Sequence, residues 1–196
     1  MFHRSIQLCS TVVSTRGGPV NRVELEHKLN EGRDGVLKHF TALTDEQLHQ
    51  PVTTSEHDPA NQWTALDHFA HIALIERNFA EMIRRHFAGG SNPVGLLEDD
   101  DGQPRTRDDI MKLVHAMTEE WQHKHHGDNL SEVVALTADT CGATLQLMSG
   151  LSDAQLEEKL PGAPWADGTV GGVFGANADH GRMHWKWAEE TGLLTS

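Results

Sequence analysis

Apolar residues recur at intervals of three and four along most of the chain, which is the spacing of helices that bury one face. The first such segment begins at Asn21 and ends near the sequence LTDEQL. Its apolar positions are Leu25, Leu29, Val36, Phe40 and Leu43. Thr44, with Gln47 three residues later, has the form of a capping box. The pattern therefore predicts one long helix followed by a short helical turn, which Pro51 ends.

The second long segment, residues 63–87, is apolar around most of its circumference in the first turns, which predicts a deeply buried helix. Gly89 and Gly90 follow it, as expected at a helix end. Residues 89–104 have no sustained period and are predicted to form a connection. An apolar stripe in residues 110–121 then predicts a short accessory helix that stops at the sequence HKHHGDN.

Two more long helices are predicted in the second half of the chain. The apolar stripe of the third helix consists of Val134, Ala138, Cys141, Leu145 and Met148. The stripe of the last helix consists of Val173, Phe174, Asn177, His180, His184 and Trp187. Between them, LSDAQL repeats the form of LTDEQL and is again followed by a proline, a loop and a tryptophan. The chain thus consists of two similar helical hairpins, and it has no convincing alternating strand pattern.

The predicted fold is all-α, a four-helix bundle with a short accessory helix in the crossover formed by residues 89–128. A chain of 196 residues is expected to form one domain, which we place at residues 21–196. Residues 1–20 contain Arg, Ser and Thr but no acidic residue. We expect a disordered N-terminal extension there.

The composition narrows the set of partners. Asp and Glu number 29 against 16 Lys and Arg, so the net charge of -13 repels phosphate backbones and anionic lipids. No nucleic-acid or membrane partner is expected, and no apolar run approaches the roughly 20 residues of a membrane-spanning helix. The two cysteines, Cys9 and Cys141, are far apart. They fit neither a disulfide framework nor a cysteine-built zinc site, which favours a cytoplasmic location.

The candidate chemistry lies in the sequence HGRMH, which places His180 and His184 one helical turn apart. Imidazoles at this spacing can bind one metal ion, but 14 histidines in 196 residues give about one such pair by chance. Both histidines lie on the apolar stripe of the last helix, so the free-energy cost of burying their polar rings must be offset. A metal ion, a hydrogen-bond network or a wet cavity would do so.

A third ligand is expected from the facing second helix. His68 and His71 are both candidates there, and helical projection does not choose between them. A separate group, His123, His125 and His126, lies at the predicted end of the accessory helix. We interpret that group as a solvated helix terminus.

These motifs resemble those of the DinB/YfiT-like superfamily of metal-dependent enzymes. In WTALDHFAHIAL, Trp63 and His71 match the family's tryptophan and ligand histidine eight residues apart, and HGRMH matches its HxxxH motif in the last helix. The two L-[ST]-D-x-Q-L turns are also similar. The resemblance implies a bundle of up-down-down-up connectivity, usually a homodimer. It also implies a divalent metal ion bound by His71, His180 and His184, with one coordination position open.

The resemblance further implies a small-molecule substrate. Members of the family are similar to metal-dependent hydrolases, or to transferases and isomerases that use a low-molecular-weight thiol. Three neutral imidazoles with an open position suit either reaction, because the metal lowers the pKa of a bound water or thiol. Nickel or zinc is the expected ion, with iron or manganese as further options.

Three polar residues are candidates for the surroundings of the metal. Asp67 and Asp179 are placed to orient ligand imidazoles, and Asn177 to contact a bound water or the substrate. Each also has an ordinary interpretation, as a solvated helix acid or a core amide. For the whole protein, the alternative hypothesis is a non-catalytic dimeric helical bundle whose histidines are structural or bind metal adventitiously.

Overall fold

The structure, a computed structural model, describes residues 21–55, 58–99 and 101–190. Residues 1–20, where an extension is expected, lie outside this part of the chain. Most described residues are helical, so the all-α class is confirmed. The helices are α1 (Arg22–Thr41), α2 (Asp45–Leu48), α3 (Ala65–Phe87), α4 (Arg107–His125), α5 (Leu130–Ser149), α6 (Asp153–Glu157) and α7 (Val170–Glu190). None of these helices is long and apolar enough to cross a membrane.

Side-chain caps start the two short helices where the sequence predicts them. Thr44 and Gln47 form a reciprocal capping box at α2, and Ser152 and Gln155 form the same box at α6. In each box the hydroxyl accepts a hydrogen bond from a backbone N–H that has no partner within the helix. Both predicted turns are therefore confirmed.

A two-stranded antiparallel hairpin lies between α2 and α3, where the sequence pattern indicates only a loop. Its strands are β1 (Pro51–Thr54) and β2 (Gln62–Thr64). Strands of three and four residues are too short to produce a recognisable alternation. Trp63, predicted to open the second helix, lies in β2 instead, because Thr64 caps the helix and α3 begins at Ala65.

The long helices pack against each other along their lengths. α1 packs against α7, and α3 packs against both α5 and α7. One core cluster surrounds the stacked rings of Phe40 and Phe69, with the edge of Trp185 against Phe40. A second cluster lies further along the helices around Ile83 and Phe174. The first cluster is the one beside the histidines of α3.

α4 is longer than the predicted accessory helix, with 19 residues against 20 in α1. It packs on α3 mainly through Trp121, whose indole N–H donates to the backbone oxygen of Ala70 at 2.9 Å. Trp121 and Gln122 are its buried residues, so most of the predicted stripe is not in the core. The crossover therefore contains a full-length helix that lies on the outside of α3.

The buried face of α5 differs from the predicted stripe. Its buried residues are Val133, Thr140, Thr144 and Met148. Of the predicted stripe only Met148 is among them, while Ala138 is exposed and the others are half-buried. The hydroxyls of Thr140 and Thr144 donate to backbone carbonyls one turn earlier, which satisfies them inside the core. The prediction failed because periodicity counts threonine as polar and α5 has apolar residues on several faces.

Candidate metal centre

Three histidines from two helices meet in the interior. His71 lies on α3, and His180 and His184 lie one turn apart on α7. One ring nitrogen of each lies within 4.8 Å of the others, and the Nε2 atoms of His180 and His184 are 3.1 Å apart. Among the described residues, this is the one group of histidine, cysteine or acidic side chains that could hold a metal ion. We call these three histidines the triad; the sequence motifs single out the same three residues.

Two tryptophans pack against these imidazoles. Trp63, from the hairpin, lies edge-on to His71 with ring centroids 5.5 Å apart. Trp187 lies edge-on to His184 at 4.7 Å. His71 and His184 are buried and His180 is half-buried. The indole rings therefore form apolar walls that remove the imidazoles from water.

Burial keeps the three imidazoles neutral. It lowers the pKa of His180 to about 4, and the nearby ring of His68 contributes to this decrease. Burial, followed by the neighbouring imidazoles, lowers the pKa values of His71 and His184 well below 6.5. Because metal ions bind the neutral form of histidine, the group is ready to bind at pH 7 without first losing a proton.

The residues present fit a divalent metal ion. The Nδ1 atom of His71 is buried and has no hydrogen-bond partner, which is costly in a core unless a metal ion binds there. The 3.1 Å between the two Nε2 atoms is close to the spacing of about 3.3 Å between two nitrogens bound to one tetrahedral zinc ion. Three neutral imidazoles are, moreover, a donor set of catalytic zinc sites.

His68 lies beside this group, but both of its ring nitrogens have other partners. Its Nδ1 is 2.9 Å from Nδ1 of His184, and its Nε2 is 2.9 Å from Oγ1 of Thr53. Burial lowers its pKa to about 4, although the Asp67 carboxylate acts in the opposite direction. Helical projection left His68 and His71 equivalent; the structure places His71 in the group of three and His68 behind His184. Sequence reasoning missed Thr53 because it did not predict the hairpin.

The carboxylates of Asp67 and Asp179 bind groups outside the triad. Asp67 accepts hydrogen bonds from the backbone N–H and the hydroxyl of Thr64, both at 2.8 Å, and lies 3.0 Å from Nδ1 of His126. Asp179 pairs with exposed cations, among them Lys28 at 2.8 Å. Neither carboxylate makes the expected hydrogen bond to a triad imidazole. The capping box of α3 holds Asp67, and surface cations attract Asp179.

Asn177 is buried one turn before His180 and lines a cavity of about 190 Å³ between the long helices. Arg33 and Glu76, which form an ion pair between a half-buried guanidinium and a buried carboxylate, also line this cavity. So does Cys141, whose thiol pKa is raised by burial. This cavity is open to solvent on one side, and none of His71, His180 and His184 lines it.

The histidines at the end of α4 belong to a separate polar network. His126 contacts Asp67 and lies 3.0 Å from the side-chain amide of Gln122. His125 pairs with Asp128 at 2.6 Å, and His123 is exposed. His126 is exposed too, so His123 and His126 fit the interpretation as a solvated terminus, whereas His125 is half-buried. His126 also joins the end of α4 to the first turn of α3, and His125 joins α4 to the turn that follows it.

Comparison with known proteins gives one informative result. No curated protein and no solved structure matches the chain significantly. A family model described as the DinB superfamily matches residues 28–188. This range includes His71, His180 and His184 and reaches all the long helices. Because the match spans most of the chain, the protein belongs to the DinB superfamily.

Proposed function

We propose that this protein is a metal-dependent enzyme in which His71, His180 and His184 bind one divalent ion and leave a coordination position for a small molecule. The convergence of three neutral imidazoles, two of them buried and one half-buried, carries the proposal. The unpartnered Nδ1 atom of His71 supports it further. The nitrogen donor set favours nickel or zinc, with iron or manganese as further options.

A bound divalent ion supplies Lewis acidity that lowers the pKa of a neighbouring water or thiol. The side chains of this chain do the remaining work. The triad imidazoles stay neutral because they are buried, and Trp63 and Trp187 exclude bulk water from their rings. Asn177 offers an amide to a substrate. We propose either hydrolysis or group transfer to or from a low-molecular-weight thiol, since both use a nucleophile activated in this way.

The proposal includes the arrangement of the whole domain. We assign α1, α3, α5 and α7 to a four-helix bundle of up-down-down-up connectivity within a single domain at residues 21–196. The packing of α1 on α7, and of α3 on α5 and α7, supports this assignment. We also propose a cytoplasmic homodimer, which the half-buried apolar residues of α5 support because a second copy could cover them.

The alternative is a non-catalytic bundle with structural histidines. One observation favours it: hydrogen bonds alone give both ring nitrogens of His184 and of His68 a partner. Structural histidines in a core are expected to be satisfied in this way. The Nδ1 atom of His71 weighs against the alternative, since no such partner satisfies it.

Metal analysis of protein purified without a histidine tag tests the proposal. We expect a stoichiometric divalent metal in the native protein and loss of most of it in the His180→Ala/His184→Ala variant. A control variant, His27→Ala/His123→Ala, removes two exposed histidines and should keep its metal. Equal metal content in the native protein and the triad variant would contradict the proposal.

Turnover distinguishes the enzyme from the structural alternative. Amide and ester substrates, and electrophilic acceptors supplied with mycothiol or bacillithiol, would be assayed with metal-loaded protein. We expect turnover in at least one of these assays that is absent in the triad variant. Folded, metal-loaded protein without turnover in any of them would favour the non-catalytic alternative.

A further inference from the structure

A line of hydrogen-bond contacts runs from the triad to the hairpin. It starts at the 3.1 Å contact between Nε2 of His180 and Nε2 of His184. It continues through the 2.9 Å contact between the Nδ1 atoms of His184 and His68, and ends at the 2.9 Å contact between Nε2 of His68 and Oγ1 of Thr53. His68 therefore contacts His184 but is not itself a member of the triad.

A neutral imidazole carries one N–H and one nitrogen lone pair. A contact between two ring nitrogens therefore needs the proton on one ring and the lone pair on the other. The protons of His184 and His68 can consequently point along the line in only two ways. In one, Nδ1 of His184 donates to His68 and Nε2 of His184 is free to bind a cation. In the other, Nε2 of His184 carries the proton and cannot bind one.

We propose that His68 is a positioning residue for the metal centre: with Thr53 it holds His184 in the tautomer whose Nε2 lone pair faces the triad. His184 donates its Nδ1–H to Nδ1 of His68, and His68 donates its Nε2–H to the hydroxyl oxygen of Thr53. His68 is therefore not a fourth ligand, because both of its nitrogens are engaged. This inference rests on the proposed function, since it assumes that the triad binds a metal.

The packing around His68 supports this role. Trp63 and Trp187 lie against its ring, with centroids 5.4 Å and 5.8 Å away, so the ring has little room to turn. Trp63 is also the register partner of Thr53 in the hairpin. The same short strand pair thus supplies an indole wall and a hydrogen-bond acceptor. An imidazole held in one orientation beside a ligand histidine fixes the tautomer and direction of that ligand.

Two variants of Thr53 test the line without changing a histidine. Thr53→Val keeps the shape of the side chain but removes the acceptor, so zinc affinity should fall by about 2- to 10-fold. Thr53→Ser keeps the hydroxyl and should restore most of the native affinity. His68→Phe keeps an aromatic ring but removes both nitrogens and should lower zinc affinity by about 10- to 100-fold. Because Thr53 acts through His68, Thr53→Val should add little to the His68→Phe variant.

A spectroscopic measurement checks the proton positions directly. Long-range ¹H–¹⁵N correlation spectra of the ¹⁵N-labelled, zinc-loaded protein should show His184 with its proton on Nδ1 and His68 with its proton on Nε2. A zinc-bound His68 nitrogen, or a His68 proton on Nδ1, would overturn the inference. Native zinc binding with unchanged affinity in both Thr53→Val and His68→Phe would also overturn it and leave the proposed function standing. If the native protein binds no zinc, both fail.

Discussion

The Nε2 atom of His180 lies 3.1 Å from the Nε2 atom of His184, on the side of α7 that packs against His71 of α3. Two imidazoles approach this closely only if they do not both carry a positive charge, and burial keeps their pKa values low. The pair therefore stays neutral at pH 7, which is the form that a metal ion binds. Protonation of these nitrogens at lower pH should affect both the stability of the protein and the proposed metal binding.

The metal-free protein should lose stability as the pH falls from about 6.5 to about 4. The histidines of the site have pKa values below 6.5 in the folded state, so the unfolded chain binds more protons in this range. A decrease of one pKa from 6.5 to about 4 corresponds to on the order of 3 kcal/mol. Urea unfolding at about pH 7, 5.5 and 4.5 covers this range and measures the effect.

The His180→Ala/His184→Ala variant is the control for this pH dependence. It lacks two of the titrating groups, so its free energy of unfolding should fall less over the same pH range. An equal fall in native protein and variant would show that other groups cause the acid sensitivity.

The contact between α1 and α7 depends on Gly32. A Cβ atom at this position would lie 2.6 Å from the backbone oxygen of Ala178, whereas a Cβ at Gly35 in the same helix would meet nothing within 4 Å. Gly32→Ala should therefore destabilise the protein by about 1–3 kcal/mol. Gly35→Ala should stabilise it by about 0.5–1 kcal/mol, since alanine favours the helix. Thermal unfolding of both variants tests this, and equal effects would contradict the close approach.

The ion pair of Arg33 and Glu76 lies in the cavity wall, with the Glu76 side chain buried and the Arg33 side chain half-buried. The Nε and Nη1 atoms of the guanidinium have no hydrogen-bond partner. Glu76→Leu leaves this mostly desolvated cation unpaired, so it should cost about 3–5 kcal/mol of stability. The double variant Arg33→Met/Glu76→Leu removes both charges and should be closer to the native protein. Chemical denaturation measures both. A double variant less stable than Glu76→Leu would mean that the pair itself stabilises the fold.

Asp67 should act on the stability of α3 and not on the metal. Its carboxylate completes the capping box with Thr64 and contacts His126, so Asp67→Ala should cost about 1–2 kcal/mol. Zinc affinity of the folded variant should stay within about 3-fold of native, because no hydrogen bond joins Asp67 to the triad. Zinc titration and thermal unfolding of the same sample separate the two effects. Weaker zinc binding at unchanged stability would restore the original expectation for Asp67.

The sequence predicts those parts of this structure that depend on local signals. Caps such as Thr44 and Ser152 satisfy backbone groups of their own helix, so their position in the sequence is enough. The apolar stripe of α7 likewise predicts that His184 points inward, and the structure shows it buried.

The remaining features depend on hydrogen bonds that the pattern of apolar positions does not reveal. Thr140 and Thr144 are buried because their hydroxyls bond to their own helix, which no apolar pattern reports. Thr53 reaches His68 through a hairpin whose strands are too short for a pattern. From the sequence we expected Asp67 to orient His71, one turn later. Its carboxylate instead forms the capping box with Thr64 at the start of α3.

X-ray absorption at the zinc edge of tag-free, zinc-loaded protein tests the central claim most directly. The account predicts three imidazole nitrogens at about 2.0–2.1 Å from the zinc, with a further light-atom ligand from water. Added low-molecular-weight thiol should replace that ligand with sulfur if the protein is a thiol-dependent transferase. A spectrum that lacks imidazole scattering, or one that is unchanged in the His180→Ala/His184→Ala variant, would contradict the account.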